Sequence, residues 1–345
     1  MIEPAEEHDI VSVPKVELHV HFGGNVEESL AIDLARRHGL DPAVVLPLLD
    51  GRYPAAYRDF PDFLRVLIAV NDVVRTPDDV EAVAAAIARG QAAQGVIYTE
   101  LIVTALSHVR AGVAPRDLWA ALRSGLSEGG PLTRTNIIVD AIRDDGPADL
   151  EATLQLIDDA DAPIVAIALT GIEDTWPTAD FAFIRDAADR RGLGVEVHAG
   201  EMGPPASITA SLDVLGADRI GHGVAAIYDP VVLDRLVRER VPLEVCPTSN
   251  LQIGLFPSLA EHPVGPFWQA GVNLSISSDD PALMGATVTD ELRSVVGVAG
   301  LTRADLAELQ RRAARAAFLP ADERAALETR IDSWADPVAG DRPGR

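Results

Sequence analysis

The chain has 345 residues, 29 of them basic and 53 acidic, for a formal charge of -24. Such a balance repels phosphate backbones and anionic membrane surfaces, so neither nucleic acid nor a membrane is an expected partner. Its single cysteine, Cys246, excludes an intrachain disulfide and a paired-cysteine metal motif, and the apolar run "VPLEVC" reads as the setting of a buried, inert thiol.

In chain order, the start "MIEPAEEHDIVSV" is acidic and lacks the basic flank and apolar core of a secretory signal. No run approaches ~18 uninterrupted apolar residues. A cytoplasmic protein is the expectation. Eight β-rich apolar runs then follow, at 15–21, 96–103, 135–142, 163–170, 194–200, 219–224, 241–249 and 272–280. Helical segments separate them. In 147–160, for example, a proline opens the helix and Leu150, Leu154, Leu156 and Ile157 form an apolar stripe, and segments 178–191, 229–240 and 257–270 repeat that pattern.

Strands alternating with helices predict a parallel (β/α)8 TIM barrel, because parallel neighbours require long crossovers. A doubly wound open sheet is the rival, weakened by the lack of a GxGxxG loop after the first strand. The expected arrangement is one barrel domain over residues 1–335 and a disordered tail over 336–345. The connection across residues 22–95 is too long for one helix and should hold an insertion. Within it Phe60, Phe63, Leu64 and Leu67 fall at helical spacing, either as an apolar lid over the barrel mouth or as ordinary core.

The first strand, "KVELHVH", places His19 and His21 on one face. These histidines lie at a strand end, as do His198 in "VEVHAGE" and Asp279 with Asp280 in "SISSDDP", the positions where barrel sites assemble. Three imidazoles and a carboxylate suit a zinc ion that keeps one position open for water. His222 in "RIGHG" lies on the strand between them, and Glu201 follows His198 by three residues, placed for proton transfer rather than ligation. The remaining histidines, His8, His38, His108 and His262, read as solvated surface groups.

The strings "PKVELHVH", "HAGE", "RIGHG", "CPTSN" and "SSDDP", in this order, resemble the adenosine/adenine deaminase family of metal-dependent aminohydrolases. The resemblance implies one zinc ion on His19, His21, His198 and Asp279. It also implies that Glu201 protonates the ring nitrogen beside the amino-bearing carbon, and that His222 orients and helps deprotonate the attacking water. Asp280 would hold the imidazole part of an aminopurine and the Gly171 amide its pyrimidine part. Apart from the resemblance, the lid reading of the 60–67 segment makes Phe60 and Phe63 further candidate contacts. Hydrolysis of an aromatic amine needs a hydroxide near neutral pH, and bound zinc lowers the pKa of water from about 15.7 to near 7.

Three positions depart from the family pattern. Gly23, in "FGG", stands where an acid grips the ribose 5'-hydroxyl, Ala168 replaces a usual aspartate, and Ile102 stands where an arginine is frequent. Losing the acid at 23 removes a charge-assisted hydrogen bond worth ~1.5–3 kcal/mol and should open room beside the site, so plain adenosine is not the expected best substrate. Rival readings are a non-catalytic nucleoside-binding relative and a mononuclear amidohydrolase acting on another amine or amide. A lysine-bridged two-metal centre is disfavoured because the only lysine, Lys15, sits at the wrong end of the first strand. The oligomeric state is not readable.

Overall fold

The computed structural model describes residues 3–336. Eight parallel strands pair in sequence order: β1 (Lys15–His21), β2 (Val96–Val103), β3 (Arg134–Ile142), β4 (Ile164–Thr170), β5 (Gly194–Ala199), β6 (Arg219–His222), β7 (Pro242–Val245) and β8 (Asn273–Ile276). The ring closes beyond the end of β8. There Val20 bridges Asp279, with the His21 amide donating to the Asp279 carbonyl at 2.8 Å and the Asp279 amide to the His19 carbonyl at 3.2 Å. The TIM barrel expected from the alternation is therefore the architecture.

Along β1 alternation sorts the side chains. Val16 and Leu18 pack outward with residues of the helices Arg303–Ala316 and Ala321–Ala335, while Glu17 and His19 are buried on the opposite face. Five helices precede β2: α1 (Glu7–Ser12) before β1, then α2 (Glu28–Arg37), α3 (Pro42–Val45), α4 (Phe60–Asn71) and α5 (Pro77–Ala93) within the long β1–β2 connection. Local chemistry starts the last two. Asp59 caps α4 by accepting from the Asp62 amide, and Thr76 and Asp79 form a capping box ahead of Pro77 at the start of α5.

Several expected elements are shorter in the structure. The segment 257–270 forms a helix only over Val264–Ala270, and 178–191 divides into a 3-10 turn at Thr178–Phe181 and the helix Ile184–Asp189. β7 and β8 stop well before 249 and 280, because after Val245 and Ile276 the backbone leaves the ladder to build the site. Of the tail expected to be disordered, residues 337–345 lie outside the described residues. No helix among the described residues is long and apolar enough to cross a membrane.

Candidate active site

His19 and His21 end β1 on one face, and His19 is fully buried. Asp279 Oδ1 lies 3.5 Å from His19 Nε2 and 3.3 Å from His21 Nε2. The His198 ring comes within 4.5 Å of His19 and 5.3 Å of His21, centroid to centroid. His19 Nε2 has no hydrogen-bond partner although it is buried, the mark of a donor atom reserved for something absent from the protein itself. Ligand atoms of His19, His198 and His222 lie within 4.8 Å of one another, and Asp279 joins His21 to the group, a donor set that fits a divalent metal.

Backbone strain helps bring these groups together. Both His222, at φ 62°, and Asp279, at φ 61°, adopt the left-handed conformation, which costs an ordinary side chain energy and persists only where the surroundings hold it. For Asp279 that support is the pairing with β1. Cys246 Sγ also approaches His19 and Asp279, but burial, reinforced by the Asp279 charge, pushes its thiol well above the ordinary range, so it stays protonated and a poor ligand.

Beneath the ligands lies a layer of charge that sequence reasoning missed. Glu244 Oε2 accepts from His19 Nδ1 at 2.8 Å, and its other oxygen is 2.5 Å from Arg219 Nε. Arg219 also pairs with Glu100 at 2.6 Å, while Glu196 Oε1 is 3.2 Å from His198 Nδ1. The Glu244 carboxylate fixes the proton of His19 on Nδ1 and leaves its Nε2 free, and Glu196 lies close enough to favour the same tautomer in His198. The available signal was the two-residue period: "ELH" and "EVH" put Glu17 and Glu196 on the same faces as His19 and His198.

Glu201 sits just past β5, where Gly200 (φ 67°) turns the chain. Glu173, also missed, secures that turn. Its carboxylate accepts from the amides of Gly200, Glu201, Met202 and Gly203 at 2.7–2.9 Å, and from the Ser207 hydroxyl at 2.6 Å. The Glu201 carboxyl lies 3.5 Å from His222 Nδ1. Burial, then the nearby Asp279 charge, raises its pKa well above the usual value, which favours the protonated form. Asp280 is pushed up to about 7 for the same reasons, while burial drives His222 well below its usual value and leaves it neutral.

The groups open onto a cavity of about 450 Å³. Every residue expected to contact substrate lines it: Gly23, Phe60, Phe63, Gly171 and Asp280, together with Glu201 and His222. The cavity face of α4, which also carries Leu64, Leu67 and Ile68, forms one wall. Gly171 adopts φ 87°, and a Cβ there would stand 2.3 Å from Asp144 Oδ2. The expected room beside Gly23 is not present. A Cβ at 23 would lie 2.5 Å from Asn71 Nδ2, so the carboxamide of α4 fills the volume that a side chain would occupy.

The other two departures, Ile102 and Ala168, meet in one buried apolar cluster with Ile138 and Ala166. Their changes are mutually compatible. Three histidines read as solvated are not. His38 is half-buried with Nε2 2.6 Å from Asp79, His108 is buried against Phe22, and His262 is buried against Phe256. Helical spacing in a polar setting does not reveal that neighbouring elements cover them.

A family model described as adenosine deaminase matches residues 14–334. The chain belongs to the adenosine deaminase family. Among curated members it is 37% identical to an adenine deaminase of Streptomyces coelicolor, over 96% of this chain and 98% of that one. It is also 35% identical to an aminodeoxyfutalosine deaminase of Streptomyces avermitilis, over 94% and 92%. The crystal structure of an adenine deaminase from Arthrobacter aurescens superposes with a TM-score of 0.85 at 30% identity, covering 94% of this chain and all of that one.

Proposed function

We propose that this adenosine deaminase family member hydrolyses the 6-amino group of an uncharged aminopurine, adenine-like rather than plain adenosine, giving the 6-oxo purine and ammonia. One observation carries the reading: metal-type donors, a carboxyl whose surroundings favour its protonated form and a buried imidazole meet at the base of one cavity with an apolar wall. His19, His21, His198 and Asp279 would hold one zinc ion, whose donor preferences they match. Zinc, when bound, supplies hydroxide near neutral pH.

The residues do the rest. His222 orients the attacking oxygen and, by hydrogen bonding to it, favours its deprotonated form. Addition at the amino-bearing carbon breaks ring aromaticity unless the adjacent nitrogen gains a proton at once, and the Glu201 carboxyl, its protonated form favoured by burial and its turn pinned through Glu173, delivers it. Asp280 receives the imidazole part of the base, and the Gly171 amide the pyrimidine part. Phe60 and Phe63 exclude water around the ring.

Substrate preference follows from what the cavity offers. At Gly23 there is neither a sugar-gripping acid nor open space, since Asn71 occupies it. Among the described residues no lysine or arginine lines the cavity, whereas Asp72, Asp140, Asp144 and Asp145 do. Arg110, near the mouth, is tied to Asp145 and Asp149 at 2.8 and 2.7 Å. A phosphate would meet like charge. Relatives named adenine deaminase and aminodeoxyfutalosine deaminase agree with the reaction and bracket the substrate.

The test is ammonia release from adenine, adenosine, N6-substituted adenines and 5'-modified adenosines, with metal analysis of the same preparation. Turnover with about one metal per chain is expected. No ammonia from any aminopurine by a metal-loaded protein would refute the reaction, and adenosine leading in kcat/KM by tenfold or more would refute the reading of Gly23.

A further inference from the structure

A chain of hydrogen bonds reaches Glu201 and His222 from a buried loop, and its direction is fixed by a backbone amide. The Val264 N–H donates to His262 Nδ1 at 3.2 Å. A neutral imidazole that accepts at Nδ1 carries its proton on Nε2 and donates there. The partner, 3.2 Å away, is Asn250 Oδ1. With that oxygen engaged, the carboxamide has one orientation, and Nδ2 faces the site, 3.4 Å from Glu201 Oε1 and 3.3 Å from His222 Nδ1.

Each amide hydrogen thus has an acceptor. Asn250 and His262 are 0% and 1% exposed, so no solvent competes for these atoms. A flipped carboxamide would set its NH2 group against the Nε2–H of His262, donor facing donor in a buried space. Asn250 closes the "CPTSN" string, whose role the catalytic scheme leaves unused, and His262 is distant in sequence from every proposed ligand.

We propose that Asn250 and His262 are positioning residues for the deamination: together they hold His222 in the tautomer that accepts at Nδ1 and presents Nε2–H to the reacting oxygen, and they tether one Glu201 oxygen so that the other faces the substrate ring. In this arrangement His222 acts first as a hydrogen-bond donor. The inference rests on the deaminase reading only for what Glu201 and His222 do, not for how they are held.

The experiment combines kinetics, metal content and histidine nitrogen NMR on the full-length, metal-loaded protein. Asn250→Ala should lower kcat about tenfold or more with little change in KM and unchanged metal content, as loss of a hydrogen bond acting on the transition state does. His262→Leu should act in the same direction, while His262→Gln, which keeps an N–H toward Asn250 Oδ1, should recover most of the rate. The double variant Asn250→Ala/His262→Leu should lose no more than Asn250→Ala, because the two act through one chain.

In the spectra, His222 Nδ1 should appear unprotonated in the parent protein and change in His262→Leu. Additive losses, a KM effect without a kcat effect, or a protonated His222 Nδ1 in the parent would overturn the proposal. Should His262→Leu fail to fold, His262→Gln, Asn250→Ala and the parent spectrum still decide. If the parent protein deaminates nothing, the nitrogen shifts test the tautomer independently of the reaction.

Discussion

The interior of the barrel is two different materials. On the β2–β4 side Ile102, Ile138, Ala166 and Ala168 make an apolar packing interrupted by Glu100 and Asp140, whereas β1 and β5–β8 carry His19, Glu196, Arg219, Glu244 and Asp279, nearly all fully buried. The contrast shows where the fold spends its polar groups. Chemistry is concentrated in one arc, where Glu244 braces His19 from below and Glu196 approaches His198, and the other arc mainly supplies shape.

Breaking the polar arc at its reacting group should have the largest effect. Glu201→Gln keeps size but removes the transferable proton, and kcat should fall by about 10³, within the usual range for general acid catalysis, with metal content retained. Full activity in that variant would move the acid elsewhere. The charge of the cavity predicts the next effect. Adenosine 5'-monophosphate should show kcat/KM at least about 100-fold below adenine, reflecting like-charge contact of several kcal/mol, and Asp72→Lys should narrow that ratio about tenfold. An equal rate for the nucleotide would remove the charge argument.

The brace below the ligands is tested by Glu244→Gln, which should weaken metal affinity about 10–100-fold, read by competition with a chelator. Acid should act on the covered histidines next. Burial lowers the pKa of His108 to about 4. Because the folded-state pKa lies below the unfolded one, the neutral ring's contribution is fully present above about 6.5 and is lost as pH falls toward 4. His108→Gln should therefore flatten the fall in melting temperature over that window relative to the parent. The smallest effect belongs to the apolar arc: Ile138→Val should cost about 0.5–1.5 kcal/mol of stability in denaturant titrations and leave kcat unchanged.

Periodicity made the barrel readable, because strands buried on both sides and helices with an apolar stripe each leave a pattern in local sequence. It located the ends of β1, β5 and β6 and the segment that follows β8, and with them His19, His21, His198, Glu201, His222 and Asp279. It did not reveal Glu173, whose role lies in four amides of a loop 27 to 30 residues away. Nor did it reveal Asn71 filling the space at Gly23, or His262 under cover, since both depend on which element packs on which. The over-long readings of β7 and β8 have the same origin: apolar composition continues past the last ladder bond, where the chain bends to deliver Asn250 and Asp279.

Asp279 has a double attachment with a mechanical consequence. Its main chain stitches the last strand to the first, while its side chain is a proposed ligand of the ion, so on that proposal the seam of the cylinder and the grip on the ion share a single rivet. Stripping the ion should thus loosen the stave joint itself, and amide exchange along 19–22 and 277–280 should quicken before the opposite wall responds.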